Sequence, residues 1–415
     1  MAARDSYRGS QNHSHRSDSS GYSGRQSNSS YSSDRQSRHS SGSGHSSDQG
    51  RPSSGSSRSA GNYSGSSRGS GQRRFNDEPR ESTLNELTSH LHAIDGRSYA
   101  AYKAIVGRYR SPLGWVLYID RIQPDPYAPP TAIRVVLPLA LTGADARLTG
   151  FTPRLTGANE TLTEANETLT GTNSRLTASP TRAVALRDYL ARSLRELLKG
   201  QAISIAPAGQ EILERSSVNL HETWQDDFST PAFTAPGPYL ELRLRWSLPA
   251  FGREIAGRQA ARNLNLDLAR AVAGLDLRES ELGAEAWKHC QVAEDHAALQ
   301  EILVERGWVA FLADGANLAR RSGVSQLPLE GGVPLTAPET LAQTVQLPHA
   351  GPVRGTAIPA GVTVIAGGGY HGKSTLLNAI ARGIYPHIPG DGRELVATVP
   401  EAMAVRAADG RAVTG

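Results

Sequence analysis

The 415-residue sequence contains one cysteine, Cys290, so no disulfide can form within the chain. That excludes a stapled secreted scaffold and suits a reducing compartment. Lysine is almost absent: Lys103, Lys199, Lys288 and Lys373 stand against 40 arginines among 44 basic residues. No window approaches 18 consecutive apolar residues, and no apolar stretch follows the first arginines. Neither a membrane span nor a secretory signal is therefore expected. The expected location is intracellular, cytoplasmic or nuclear. The Ser- and Arg-rich start also overlaps in composition with mitochondrial targeting segments, although it has no amphipathic stripe.

Charge is distributed unevenly. Residues 1–74 hold 11 Arg and 4 acids, a net of +7, whereas the remaining 341 residues carry 33 basic against 36 acidic groups, a net of −3. The first 70 residues include 27 Ser and no Val, Ile or Leu. Such a segment cannot bury enough apolar surface to offset the entropy of ordering, so residues 1–80 read as a disordered tail. Its Arg and Tyr residues suit phosphate contact and base stacking, which makes RNA one candidate partner. The other reading is a solvated tail open to phosphorylation.

Order is expected from Ser82. Thr83 and Glu86 have capping-box spacing, and Leu84, Leu87, Leu91 and Ile94 then recur at helical intervals up to Gly96. A second helical stretch follows over Tyr99 to Val106. Trp115–Asp120 and Ile133–Leu137 read as strands around the loop Pro124–Pro130. Leu148, Leu155, Leu162, Leu169 and Leu176 are seven residues apart, but one apolar residue per seven makes no coiled-coil seam. Residues 147–181 therefore read as a low-complexity surface insert. A helix begins at Ser179-Pro180, with Leu186, Leu190, Leu194 and Leu197 on one face. Ala202–Ala206 follows as a short strand. Leu240, Leu242, Leu244, Trp246 and Leu248 alternate with Glu241, Arg243, Arg245 and Ser247, as in a strand with one buried face. Helices over Arg258–Ala273 and Glu281–Arg306, with Gly307 as a cap, precede a strand Trp308–Ala313 and a turn at Asp314-Gly315. Cys290 lies within the second of these helices, where packing rather than chemistry is expected.

One stretch carries chemistry. Gly367-Gly368-Gly369-Tyr370-His371-Gly372-Lys373-Ser374 matches G-x-x-x-x-G-K-[ST] throughout. Val362, Val364 and Ile365 are expected to form a strand before it, and Thr375–Ile380 to start a helix after it. In that setting the glycines let main-chain N–H groups wrap a phosphate, and the helix start adds positive potential. Lys373 would bridge the β- and γ-phosphates of ATP, and the Ser374 hydroxyl would ligate Mg²⁺. The nucleotide-binding set is therefore Gly367, Gly368, Gly369, Tyr370, His371, Gly372, Lys373, Ser374 and Thr375, with Tyr370 and His371 either touching phosphate or a partner or merely filling the loop. Arg320-Arg321-Ser322-Gly323 offers two further guanidinium groups, which could reach nucleotide phosphate or RNA, or ion-pair with an acid such as Glu330. His349 receives no role. No CxxC, HExxH or GxSxG spacing and no dinucleotide fingerprint occurs.

Ile358–Gly367, GKSTLL and Ile388–Gly392 together resemble the first lobe of ABC-type ATPases. SYAAYKAIVGRY, YIDRIQPDPYAPP, FLADGANLARRSGV, IAGGGYHGKSTLL and HIPGDGRELVAT resemble, in that order, the family known as predicted ATPases of the ABC class. The resemblance covers about residues 81–415 apart from the insert. It implies an α/β protein: an α+β N-terminal domain, about 81–248, followed by the first part of an ABC-type P-loop domain, 249–415. It also implies ATP held between two nucleotide domains, hence a homodimer of complete chains. Only 41 residues follow Ser374, and they hold no LSGGQ-like signature, no apolar strand ending in Asp-Glu and no switch histidine. Asp391, Glu394 and Glu401 do not close apolar runs. The chain is therefore expected to be truncated and to bind MgATP, with hydrolysis reserved for the complete protein. No aromatic residue lies between Phe311 and Tyr370, so the usual aromatic contact to adenine is missing. The alternative function is an RNA-associated binding protein for which nucleotide is an effector.

Overall fold

The computed structural model describes residues 80–144, 179–234, 237–278 and 280–405. The expectations for residues 1–79 and for the leucine repeat, Leu148 to Leu176, lie outside them.

β1 (Arg80–Thr83) passes directly into α1 (Leu84–Ala93). The expected capping box forms: Thr83 Oγ1 accepts from the Glu86 amide at 3.2 Å, and the Glu86 carboxylate accepts from the Thr83 amide at 3.0 Å. Two orphan helix-start donors are thereby satisfied. A 3₁₀ segment, Tyr99–Ile105, leads to β2 (Gly107–Arg110), β3 (Val116–Arg121) and β4 (Thr131–Pro138). After α2 (Pro180–Leu197), capped by Ser179, come β5 (Ile203–Ser204), β6 (Val218–His221) and β7 (Tyr239–Trp246). These strands form one sheet in the order β1-β2-β3-β4-β7-β5, with β6 also on β7. Only β1 and β2 run parallel. A two-stranded ribbon, β8 (Ala250–Phe251) and β9 (Glu254–Ile255), follows.

The alternation in β7 explains its central place. Leu240, Leu242, Leu244 and Trp246 enter a core shared with α1 and α2. Complete burial of each Leu contributes roughly 2 kcal/mol. On the opposite face Arg243, Arg245 and Ser247 are exposed, as the one-sided reading expects, but the end holding Tyr239 and Glu241 is covered. Residues 224–233 lay Trp224, Phe228, Ala232 and Phe233 over Val116, Tyr118, Val136 and Tyr239. Glu241 is consequently buried, with Arg243, His221 and Asn219 on its carboxylate. Leu197 also departs from expectation: it is 41% exposed, and Leu198 takes the buried position instead.

The expected helix over Arg258–Ala273 is divided into α3 (Gly257–Arg262), a π-helical turn (Asn263–Leu268) and α4 (Ala269–Ala273). α5 (Glu281–Arg306) is 26 residues long, about 39 Å. Its first half sets Ala286, Cys290 and Ala293 in the first core, and its second half sets Leu299 and Leu303 in another. That second core lies under a sheet of β10 (Trp308–Ala313), β11 (Ala342–Leu347), β12 (Gly351–Pro359) and β13 (Val396–Thr398), ordered β11-β12-β10-β13 and antiparallel throughout. α6 (Lys373–Arg382) packs beside β13.

Candidate functional site: the Gly367–Ser374 loop

The glycine-rich loop leads straight into α6. Gly372 occupies its N-cap position at φ +78°, a left-handed conformation that Gly adopts without a Cβ clash. No side chain caps the helix, so its first main-chain donors face the loop. The Lys373 ammonium folds back over the loop. It donates to the Gly367 carbonyl at 2.7 Å and also to that of Gly368. A cation thus sits within the turn of main chain that the sequence reading assigns to phosphate. Gly367, Gly368, Gly369, Tyr370, His371, Gly372 and Ser374 are exposed, and Thr375 is half-buried. Tyr370 stands at the tip with φ 62°, the one non-glycine residue with positive φ among the described residues.

The strand expected at Val362–Ile365 is not formed. Residues 362–368 carry no regular structure, and Val362 and Val364 are 97% and 80% exposed. β-branched composition favours a pleated, half-buried surface, but a strand also needs a neighbour, and none of the described strands pairs with this segment.

The other end of α6 is firmly held. His296, buried in α5, donates from Nε2 to the Gly383 carbonyl at 2.9 Å. Gln300 reaches the Ile384 and Thr398 carbonyls at 3.3 and 2.8 Å, and the Thr398 hydroxyl donates to Ile380 O at 2.7 Å. Burial, reinforced by nearby His387, pushes His296 down to about 4, against the bond to Gly383. An imidazole with a depressed folded value stabilises fully above its unfolded value, about 6.5, and that contribution fades as pH falls towards 4. Urea unfolding between pH 7 and pH 4.5 should therefore show about 2 kcal/mol of stability lost with acid. His296→Gln, which keeps the donor, should lack that component. An equal pH dependence in the two proteins would refute the assignment.

The remaining sequence candidates are dispersed. Arg321 pairs with Glu330, as the surface reading expects, whereas Arg320 is buried and donates to the Asp391 carboxylate at 2.6 Å. Asp391 also contacts His387 at 2.7 Å. His349 bonds Glu294 at 2.8 Å. Burial raises the Cys290 thiol to about 12, so it is no nucleophile. A cavity of about 360 Å³ is lined by Asp295, Asp314, Gly315, Glu394 and Leu395 among others, but by no residue of the 367–374 loop. Its acids are engaged: Asp295 accepts from the His349 and Ala350 amides, each at 2.8 Å, and Glu394 from the Gly390 amide at 2.5 Å. Among the described residues no cluster of His, Cys, Asp and Glu could hold a metal, and no helix is long and apolar enough to cross a membrane.

Sequence reasoning missed Glu211, His296 and His387. Glu211 and His296 act on α6 or the turn after it from far along the chain, where no local spacing marks them, whereas His387 lies in that turn and contacts Asp391 four residues on.

Two family models match. Residues 84–275 match the ATPase of the ABC class N-terminal model, and residues 283–415 match the ABC_ATPase P-loop domain. No curated protein matches the chain. The two matches span 325 of the 415 residues, in the order the family requires, and the glycine-rich loop falls inside the second. The chain belongs to the ABC class of ATPases, with that family's N-terminal region followed by its nucleotide-binding P-loop domain.

Proposed function

We propose that the chain binds MgATP at residues 367–374. The observation that carries this reading is the Lys373 ammonium held over the loop by two main-chain carbonyls, next to an uncapped helix start. Neutral carbonyls are weaker acceptors than a triphosphate oxygen, so the ammonium exchanges them for a charge-assisted bond when nucleotide arrives. The amides at the start of α6 then meet phosphate rather than water, and the helix dipole favours that anion. Gly367, Gly368, Gly369 and Gly372 let the main chain approach the phosphate closely, and Thr375 extends the amide set. Tyr370 and His371 form the outer rim, where they would meet the ribose side of the ligand or a partner. Ser374, exposed in the first helical turn, would hold Mg²⁺, which when bound offsets the charge of the phosphate oxygens.

Isothermal titration with ATP and magnesium tests this. Lys373→Ala should weaken binding by about 100-fold, near 2.7 kcal/mol, the scale of a lost charge-assisted contact. Identical isotherms for mutant and parent would end the proposal.

A further inference from the structure

The segment Gly209–Arg215 touches both halves of the molecule. On one side the N-terminal core grips it. Arg192 of α2 donates to the Gly209 and Glu211 carbonyls at 2.6 and 2.9 Å, Arg215 donates to Glu211 O at 3.2 Å, and Ile212 is buried in the first core. On the other side it pairs with the chain just beyond α6. The Ile212 amide donates to Pro386 O at 2.7 Å, the Ile388 amide donates to Gln210 O at 2.9 Å, and Glu211 bridges opposite His387. The Glu211 carboxylate also meets Arg382, the last residue of α6, at 2.5 Å.

α6 has the form of a lever. Its ten residues span about 15 Å from Lys373 to Arg382. Ala379 is its one fully buried residue, and Leu377 is 58% exposed. Its hydrogen bonds to other elements gather at the C-terminal end, on His296, Gln300, Thr398 and Glu211, while Leu376, Ala379 and Ile380 pack along a small core with Leu312, Leu318 and Val396. A helix bonded at one end and exposed at the other can slide along such a core as a unit when its exposed end is pulled.

The joint itself has slack polar chemistry. His387, Asp391 and Arg393 are almost fully buried, with Arg320 beside them. His387 Nε2, Asp391 Oδ1, Arg320 Nε and Arg393 Nε have no hydrogen-bond partner among the described residues. Burial, with Arg320 nearby, lowers Arg393 to about 10. Buried polar atoms left unpaired in one cluster mark a place where a second arrangement can recover hydrogen bonds.

We propose that Gly209–Arg215 couples nucleotide occupancy of the 367–374 loop to the N-terminal region, with α6 as the lever and Arg382–Glu211 as the joint. This rests on the nucleotide reading above. Triphosphate draws Lys373 off the Gly367 and Gly368 carbonyls and engages the start of α6, so it discriminates between helix positions, as any ligand that shifts an equilibrium must.

Hydrogen exchange on the full chain with and without MgATP tests it. In the parent protein, exchange at the Ile212 and Ile388 amides should slow roughly fivefold or more, the lower end of ordinary coupling. Glu211→Gln should retain slowing at residues 373–376 and lose it at 210–213. Arg382→Gln, from the other side of the joint, should do the same and covers a folding failure of the first variant. Slowing at 373–376 with no change at 210–213 and 386–388 would overturn the coupling alone, as would an unaltered response in both variants. No slowing even at 373–376 would overturn the nucleotide reading and the coupling with it.

Discussion

Asp188→Ala should lower unfolding free energy by about 3–5 kcal/mol, the cost of removing one partner from a buried ionic network. Asp188 has no exposed surface. Its carboxylate accepts from Arg192 Nε at 2.7 Å and from Arg215 Nε at 2.5 Å, contacts His289 at 3.1 Å, and takes the Leu213 amide at 3.4 Å. Burial would raise its pKa, but the bonds from His289 and Arg192 and the charges of Arg192 and Arg215 outweigh it and hold the carboxyl below the usual range. A depressed folded value means the stabilisation is present above the unfolded pKa, near 3.9, and is lost as pH falls through the folded value. Urea unfolding of parent and mutant should differ most at neutral pH and converge in strong acid. A mutant within 1 kcal/mol of the parent at pH 7 would show that the network is not integral to the fold.

Gly257→Ala should cost about 3 kcal/mol, the upper end for overpacking. The amide of Gly257 donates to Asp95 Oδ1 at 2.7 Å, bringing the start of α3 against the end of α1. A Cβ added there would lie 2.0 Å from Leu91 O and 3.2 Å from Asp95 Cα, both main-chain atoms. α1 cannot retreat easily, because Leu84, Leu87 and Leu91 are fixed in the core. Gly323→Ala, where a Cβ meets nothing within 4 Å, is the control and should change stability by less than about 0.5 kcal/mol. Equal denaturation midpoints for both mutants would refute the close-approach argument.

Local chemistry carried much of the fold into the sequence. The Thr83/Glu86 box, the Ser179-Pro180 start and the Gly307 cap are contacts within four residues, and each forms at the expected place. The glycine-rich loop and the helix after it were legible because their residue spacing is itself local. What stayed hidden depends on distant neighbours. Nothing in the alternation of β7 announces that residues 224–233 fold over its outer face and bury Glu241. The strand expected at Val362–Ile365 shows the same limit from the other side, since apolar β-branched residues establish a tendency and not a partner. Glu211 is one acid among 40, and its arginine lies 171 positions away.

The water-facing run Val362-Thr363-Val364-Ile365 has a practical consequence for handling the protein. An exposed, uncharged, β-branched stretch that pairs with none of the described strands can template pairing between molecules. Colloidal behaviour, more than the free energy of folding, then sets the working concentration, and sulfate or phosphate buffers lower that ceiling by strengthening apolar association. The chain is expected to associate less in dilute, kosmotrope-free solution, and light scattering in chloride against sulfate buffer checks it.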